Sequence, residues 1–395
     1  MRLFEGSVSR LLWFLLFPAT LAAQQIATYP AGSEPACDAS KRGTLIISLG
    51  KEGQSDGLRG CFRDGLGRYA WATPGQQSMT SFMLTRKLGG CPIFPDNNVW
   101  NSRADSLAED AESEGIIATY AAARLGSDPG MAINIAPAAV PGVPVFFTYS
   151  GESDLSVYPV SPDMQMEGYG ANQSFPVSGG PYKNDAHLLV IRASDCKLFE
   201  IARIRTAKPP YQAAAGAIFD LTRNDLRPAD WTSADAAGLP IWPGVLRYAE
   251  VFGQGEIAHV LRFTVDRSRA AYVWPARHFA SRFHERTLPP MGSRWRLKAS
   301  FDDKTCRASE HTGAAFPPEM QKVIRALKQY GMMLADNGMA IRLTADADQR
   351  WGDAHAETSA TWKLNGWLHC VQGSDFEVVN ASPLIVNSNS AATSN

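Results

Sequence analysis

The chain has 395 residues, with 38 Lys and Arg against 39 Asp and Glu and a formal net charge of −1, so it lacks the global basic field that gathers nucleic acid. Its 45% hydrophobic content can bury a sizeable core, while 33 Gly and 25 Pro demand many turns and disfavour a helical bundle.

Arg2 and Arg10 precede the apolar run Leu11–Ala22, which ends in small residues; residues 1–23 therefore read as a secretory signal peptide. No later segment is continuously apolar over the roughly 20 residues that a span needs, so the mature chain is expected to be exported, to the periplasm or outside the cell, with no membrane span. Six cysteines, none in a CxxC spacing, then default to structural disulfides, with a local Cys37–Cys61 bridge and the other pairings open.

Residues 26–73 read as a small β-module: "RGTLIISLG" and "GCFRDGLGRYAWAT" are short strands broken by Gly and Asp turns. Residues 74–90 read as a linker. A main domain over 91–380 opens with the ordered loop "CPIFPDNNVWN", and residues 103–125 contain a short helix. Short β-branched and aromatic runs follow, among them "AHLLVIRA", "KLFEIARIRT", "IAHVLRFTVD" and "RWRLKASF". They predict a mainly β fold with a few helices, its main domain a β-sandwich of jelly-roll type. "NDAHLLVIRASDCKLFEIARI" predicts a hairpin turning at Ala193–Cys196. Pro243 and Gly253 bracket a short helix, and "PPEMQKVIRALKQYG" predicts a longer one ending at Gly331. Asn337-Gly338 between apolar runs predicts a second hairpin. The Ser/Asn-rich tail, 381–395, is expected to be disordered.

Chemistry is sought where polar residues interrupt these runs. His187 opens an apolar strand, with Asp185 two residues earlier to orient it. Arg277 and His278 follow Pro275 at a strand end, where binding loops gather. His187, His278 and His284 match no tight metal-ligand spacing, so neither metal nor cofactor is expected. In "SRWRLKAS" alternation puts Arg294, Arg296 and Lys298 on one strand face, which is either a solvated face or a groove for an anionic ligand. Asp235 is a candidate general acid or base, although Thr232, Ser233 and Asp235 also suit the cap of a short helix. Asp336 and Asn337 suit a turn or a site, and Glu200 and Glu250 are further carboxylates. A glycosidase pair needs two carboxyl groups roughly 5 to 9.5 Å apart, a distance no sequence displays. Ten Trp and eleven Tyr can stack on sugars or fill a core. Nucleophile-elbow, zincin, Walker and dinucleotide motifs are absent.

The stretch "CDASKRGT... GCFRDGLGRYAWAT" resembles a β-module found ahead of unrelated regions in exported bacterial proteins, often adhesive or structural ones. "CPIFPDNNVWN", "DAHLLVI", "WTSADAAGLPIWPGVLRYAEV", "AYVWPARH", "PPMGSRWRLKAS" and "YGMMLADNG" resemble a family of exported bacterial proteins of uncharacterised activity, over most of residues 91–379. A looser similarity is to jelly-roll polysaccharide lyases, whose groove holds a strand histidine, an arginine and a tyrosine; it would give such roles to His187 and Arg296. The expected function is a secreted carbohydrate-active enzyme acting on a polysaccharide. In a lyase, Arg296 and Lys298 would neutralise a uronic carboxylate, His187 or Tyr272 would take the proton, and His278 would assist. In a glycosidase, Asp235 and a second carboxylate would act as a pair. The alternative is a non-catalytic glycan-binding or adhesion protein using the same groove.

Overall fold

A computed structural model describes residues 27–30, 33–38, 40, 45–49, 57–63 and 69–72 of a first unit. In a second it describes residues 87–394, apart from 138–139, 162–163, 168–185, 207–208, 303, 307–312 and 354–355. The units divide between Gln77 and Ser78. The leader 1–23, the segment 74–86 and Asp185 lie outside the described residues.

The first unit is a four-stranded sheet in the order β1 (Ala27–Pro30), β2 (Leu45–Leu49), β3 (Gly57–Arg63), β4 (Tyr69–Ala72), stapled by the expected Cys37–Cys61 disulfide. The second unit's described part begins with a short hairpin of β5 (Lys87–Leu88) and β6 (Cys91–Pro92), so residues 87–90, the described part of the assigned linker, are built into this unit. Helix α1 (Ser113–Tyr120) follows, then strands β7 (Gly126–Met131), β8 (Ile133–Ala136), β9 (Val143–Phe147), β10 (Val157–Tyr158), β11 (Leu188–Arg192), β12 (Lys197–Ala202), β13 (Tyr211–Ala213) and β14 (Ala215–Asp220). After helix α2 (Tyr248–Phe252) come β15 (Leu261–Val265), β16 (Arg294–Leu297), helix α3 (Pro318–Gln329), β17 (Met332–Asn337), β18 (Arg342–Asp346), helix α4 (Ala360–Leu368) and β19 (Phe376–Val379).

These strands build sheets of three (β10-β9-β13), four (β14-β12-β11-β8) and six (β19-β16-β17-β15-β18-β7) strands. Period-2 burial dictates the layering. From the four-stranded sheet, Leu188, Val190, Phe199 and Ile201 pack on Val145, Phe147 and Tyr158 of the three-stranded sheet. Its other face, Leu189, Ile191 and Leu198, joins the main core with Phe263, Trp295 and the α3 residues Met320, Val323, Ile324 and Leu327. The mainly β class with packed sheets and a small N-terminal module therefore holds. Pairing is mixed, however: β8–β11, β9–β13, β15–β17 and β7–β18 run parallel, unlike the all-antiparallel strands of a jelly roll.

The β11–β12 hairpin turns where expected, with Arg192 opposite Lys197. The Asn337-Gly338 hairpin does not form: β15 lies between β17 and β18 and bonds to both. The tail is ordered, not disordered. Val99 N–H donates to Ala391 O at 2.8 Å, Ala391 N–H to Asn224 O at 2.7 Å and the Trp274 indole to Ser390 O at 2.9 Å.

Two further disulfides, Cys91–Cys196 and Cys306–Cys370, complete the pairing. Cys91–Cys196 closes a separation of 105 residues and anchors β6 to the β11–β12 turn. Changing both cysteines to Ser should cost about 2–5 kcal/mol, because the unfolded chain regains the freedom of a long loop. Urea unfolding without reductant checks this, and an unchanged midpoint would contradict it. Among the described residues no helix is long and apolar enough to cross a membrane.

Candidate functional site

A cleft of about 430 Å³ opens where the ends of β12, β13 and β17 meet the segment 232–236. Its walls include Tyr149, Glu152, His187, Asp235, His278, Asp336 and Asn337, which come from five separate stretches of chain. "DAHLLVI", "WTSADAAGLPI", "WPARH" and "LADNG" thus each deliver polar groups to one place.

The 232–236 segment is a tight turn instead of the expected helix start. The Ser233 hydroxyl accepts from Asp235 N–H at 2.9 Å and donates to Leu239 O at 2.6 Å. Ala237 N–H reaches Ala335 O at 2.9 Å, which ties the turn to β17. Gly238 closes it at φ +69°, and a Cβ there would stand 2.5 Å from Trp231 O, so no other residue fits without moving the backbone.

Asp235 is fully buried, and its carboxylate takes both arms of the Arg262 fork, one from Nε at 2.7 Å. The same guanidinium also bonds Thr344 Oγ1 and lies 3.7 Å from Asp336 Oδ2. Burial works against the Arg262 charge, yet Asp235, with Asp336 and Glu167 behind it, raises its pKa. Asp336 comes second for this cation. Burial first, then repulsion by Asp235, push its pKa up to about 7 against the opposing pull of Arg262, His187 and Asn337 N–H. It is therefore a largely neutral carboxylic acid at weakly acid pH.

His187 is inward-facing. Its Nε2 sits 3.0 Å from Ala234 O, which only accepts, so Nε2 carries hydrogen, while Nδ1 meets Glu167 Oε2. Burial would raise Glu167, but the charge and hydrogen bond of His187 hold its carboxyl below the usual range. Both ring nitrogens are engaged, and His187 locks the 234 turn in place of the proton-removing role expected of it. His278 has the complementary arrangement. Nδ1–H donates to Ala236 O at 2.8 Å, which turns Nε2 toward Glu152 Oε2 at 3.6 Å in the cleft.

The remaining candidates lie elsewhere. Arg294 is buried and donates to Tyr330 O at 2.8 Å and Ser102 O at 2.6 Å. Arg296 faces its cross-strand partner Glu377 at 2.6 Å and also bonds Ala104 O and Leu107 O, and Lys298 reaches Ser374 O at 2.9 Å. The "SRWRLKAS" cations thus line no groove with the histidines. β16 is an interior strand whose charged face is capped by carbonyls and one carboxylate. Arg277 holds the C-terminal segment through Ser388 O at 3.1 Å, and Tyr272 donates to Asp230 Oδ1 at 3.0 Å; neither lines the cleft. Asn337 does line it, braced by Ala280 O and the Ser268 hydroxyl. Among the described residues no group of three or more His, Cys, Asp or Glu could hold a metal ion.

Arg262, Glu152 and Glu167 are cleft or support residues that sequence reasoning passed over. Arg262 alone carried a signal, since a cation inside "VLRFTV" must find a buried counter-charge. Glu200, beneath the cleft, accepts Ile241 and Trp242 N–H at 3.0 and 3.1 Å, and burial pushes it up to about 8. Glu250 pairs with Arg247 and His259 in the core, away from the cleft, and despite burial that pairing holds it near about 2.

These shifts give stability a pH slope. Asp336, Asp346 and Glu200 hold protons more tightly folded than unfolded. The stability they supply is complete below the ordinary carboxyl range, pH ~4, and is lost as pH rises through folded values of about 7, 7 and 8. Glu250 acts oppositely: its contribution is present above pH ~4.5 and vanishes as pH falls toward about 2. The urea midpoint should therefore peak near pH ~4–5 and decline toward neutrality. A midpoint that rises over that interval would contradict the assignment.

A scan of protein-family models and searches of curated proteins and of solved structures return no match to this chain.

Proposed function

We propose that the protein is an exported carbohydrate-active enzyme that hydrolyses glycosidic bonds in a polysaccharide. The supporting observation is Asp336, a carboxyl whose pKa, raised to about 7, keeps it largely protonated at weakly acid pH in a cleft that also presents His278 Nε2 beside Glu152. A protonated carboxyl and an imidazole–carboxylate pair facing one cleft suit proton transfer in both directions. Asp336 gives its proton to the departing glycosidic oxygen, and the Glu152–His278 pair takes one from the water attacking the anomeric carbon. The C–O bond breaks, a new C–OH forms, and proton exchange with water resets both groups. Hydrolysis is favoured over uronate elimination because Arg296 and Lys298 are committed elsewhere and Arg262 is already held by both oxygens of the Asp235 carboxylate. Three disulfides support an oxidising destination.

The test is incubation of the mature protein with neutral and acidic polysaccharides, following reducing ends and the ultraviolet absorbance of unsaturated products. Reducing ends without absorbance are expected. Absorbance would make it a lyase, and binding without either signal would make it a glycan-binding protein.

A further inference from the structure

Glu152 ends a single turn, Ser150–Glu152, between β9 and β10, whose own hydrogen bonds hold backbone and not the Glu152 carboxylate. The residues that follow are pinned to β14. Ser153 Oγ accepts Gly216 N–H at 3.2 Å, Asp154 N–H reaches Gly216 O at 3.0 Å, and Asp154 Oδ2 accepts Ile218 N–H at 2.8 Å. The 232–236 turn that braces His278 hangs instead from β17, in a different sheet. Glu152 and His278 thus reach the cleft from separate supports.

Arg227 joins those supports. Its Nη2 donates to Glu152 O at 2.9 Å, its Nη1 to Asp154 Oδ2 at 2.5 Å and its Nε to Thr232 O at 2.7 Å. The guanidinium lies 5.8 Å from the Phe219 ring centroid and 5.6 Å from that of Trp231, and the residue is 6% exposed. A flat fork can meet three acceptors on two chain segments at once, which a lysine ammonium on its flexible stem cannot reproduce. The consequence appears at the carboxylate. Thr232 N–H, carried by the peptide next to the clamped carbonyl, donates to Glu152 Oε2 at 3.3 Å, and His278 Nε2 stands 3.6 Å from that same oxygen. Arg227 itself is not among the residues that line the cleft.

We propose that Arg227 is a positioning residue for the base: by clamping residues 152 and 154 to Thr232 it holds Glu152 Oε2 within reach of His278 Nε2. This rests on the reading of Glu152 and His278 as the group that activates water. Arg227 touches neither sugar nor water in the reaction, and acts only through Glu152.

The test is a double-mutant cycle on the full mature chain, read by reducing-end kinetics and by nitrogen-15 signals of labelled histidine, the His278 signals being those missing from His278→Gln. Arg227→Lys, with its fold checked by urea unfolding, is expected to move the His278 signals toward their positions in Glu152→Gln. It should lower kcat on the order of 10²-fold with KM unchanged, as a small misplacement of a reacting group does. In a Glu152→Gln background the same change should cost almost nothing further. An equal loss in both backgrounds would overturn the proposal, since Arg227 would then serve the fold alone. Unmoved His278 signals in folded Arg227→Lys would overturn it too. So would failure of both Arg227→Lys and Arg227→Gln to fold, by making the clamp part of the core. His278 signals that respond as expected in a protein that cleaves no polysaccharide would sustain the clamp and sink the hydrolase reading. Cleavage lost in Glu152→Gln but undiminished in Arg227→Lys would do the reverse.

Discussion

Replacing Asp336 by Asn is expected to reduce polysaccharide cleavage by about 10²–10⁴-fold, the usual loss when a positioned general acid is removed. The amide is nearly the same shape and keeps an oxygen to accept Asn337 N–H, which reaches Asp336 Oδ1 at 2.7 Å in the native protein. It cannot donate a proton to a leaving group. It also never ionises, so the variant should be at least as stable as wild type above pH ~7, where the native carboxylate is buried as an anion. Collapse of turnover with an intact or raised midpoint separates a chemical role from a structural one. Undiminished turnover would remove Asp336 from the reaction.

Asp235→Ala should produce the largest loss of stability of any single change in the cleft, about 3–5 kcal/mol. The fully buried carboxylate is the bidentate partner of Arg262, itself 4% exposed, and without it the guanidinium keeps only Thr344 and a distant Asp336. The loss reflects an orphaned charge more than the net worth of the pair, so Arg262→Met/Asp235→Leu should recover most of the midpoint. Activity should return with the fold in the double variant, because burial, the largest cause of the raised Asp336 pKa, is kept while the opposed charges of Asp235 and Arg262 go together. Chemical denaturation and reducing-end assays on the three proteins check both points. A single variant as stable as wild type would show that Arg262 does not depend on Asp235.

Much of the local structure was legible. The β11–β12 hairpin and helix α3 follow from period and punctuation alone, with Gly331 at φ +68° just past the helix end. What failed was long-range. Asn337-Gly338 has hairpin chemistry, but β15 takes the hydrogen bonds of both flanking strands, a competition invisible in a short window. The tail has a disordered composition, yet its backbone is held by Asn224 and Val99, far away in sequence. The cations of "SRWRLKAS" alternate as read, and their partners Glu377, Ser102 and Ser374 come from segments that no spacing could nominate. In the cleft His187, Asp235, His278, Asp336 and Asn337 were named from strand ends and turns, and they do converge. Their roles required partners: Glu167 engages His187, Arg262 engages Asp235, and His278 alone keeps a ring nitrogen toward the cleft.

The proposed reaction requires Asp336 to be a neutral acid in that cleft, and a carbon-13 titration of labelled aspartate carboxyls measures this directly, the Asp336 resonance being the one missing from Asp336→Asn. A midpoint of about 7 is predicted. A midpoint near ~4, as for a free aspartate, would mean that Asp336 is ionised at working pH and cannot supply the proton.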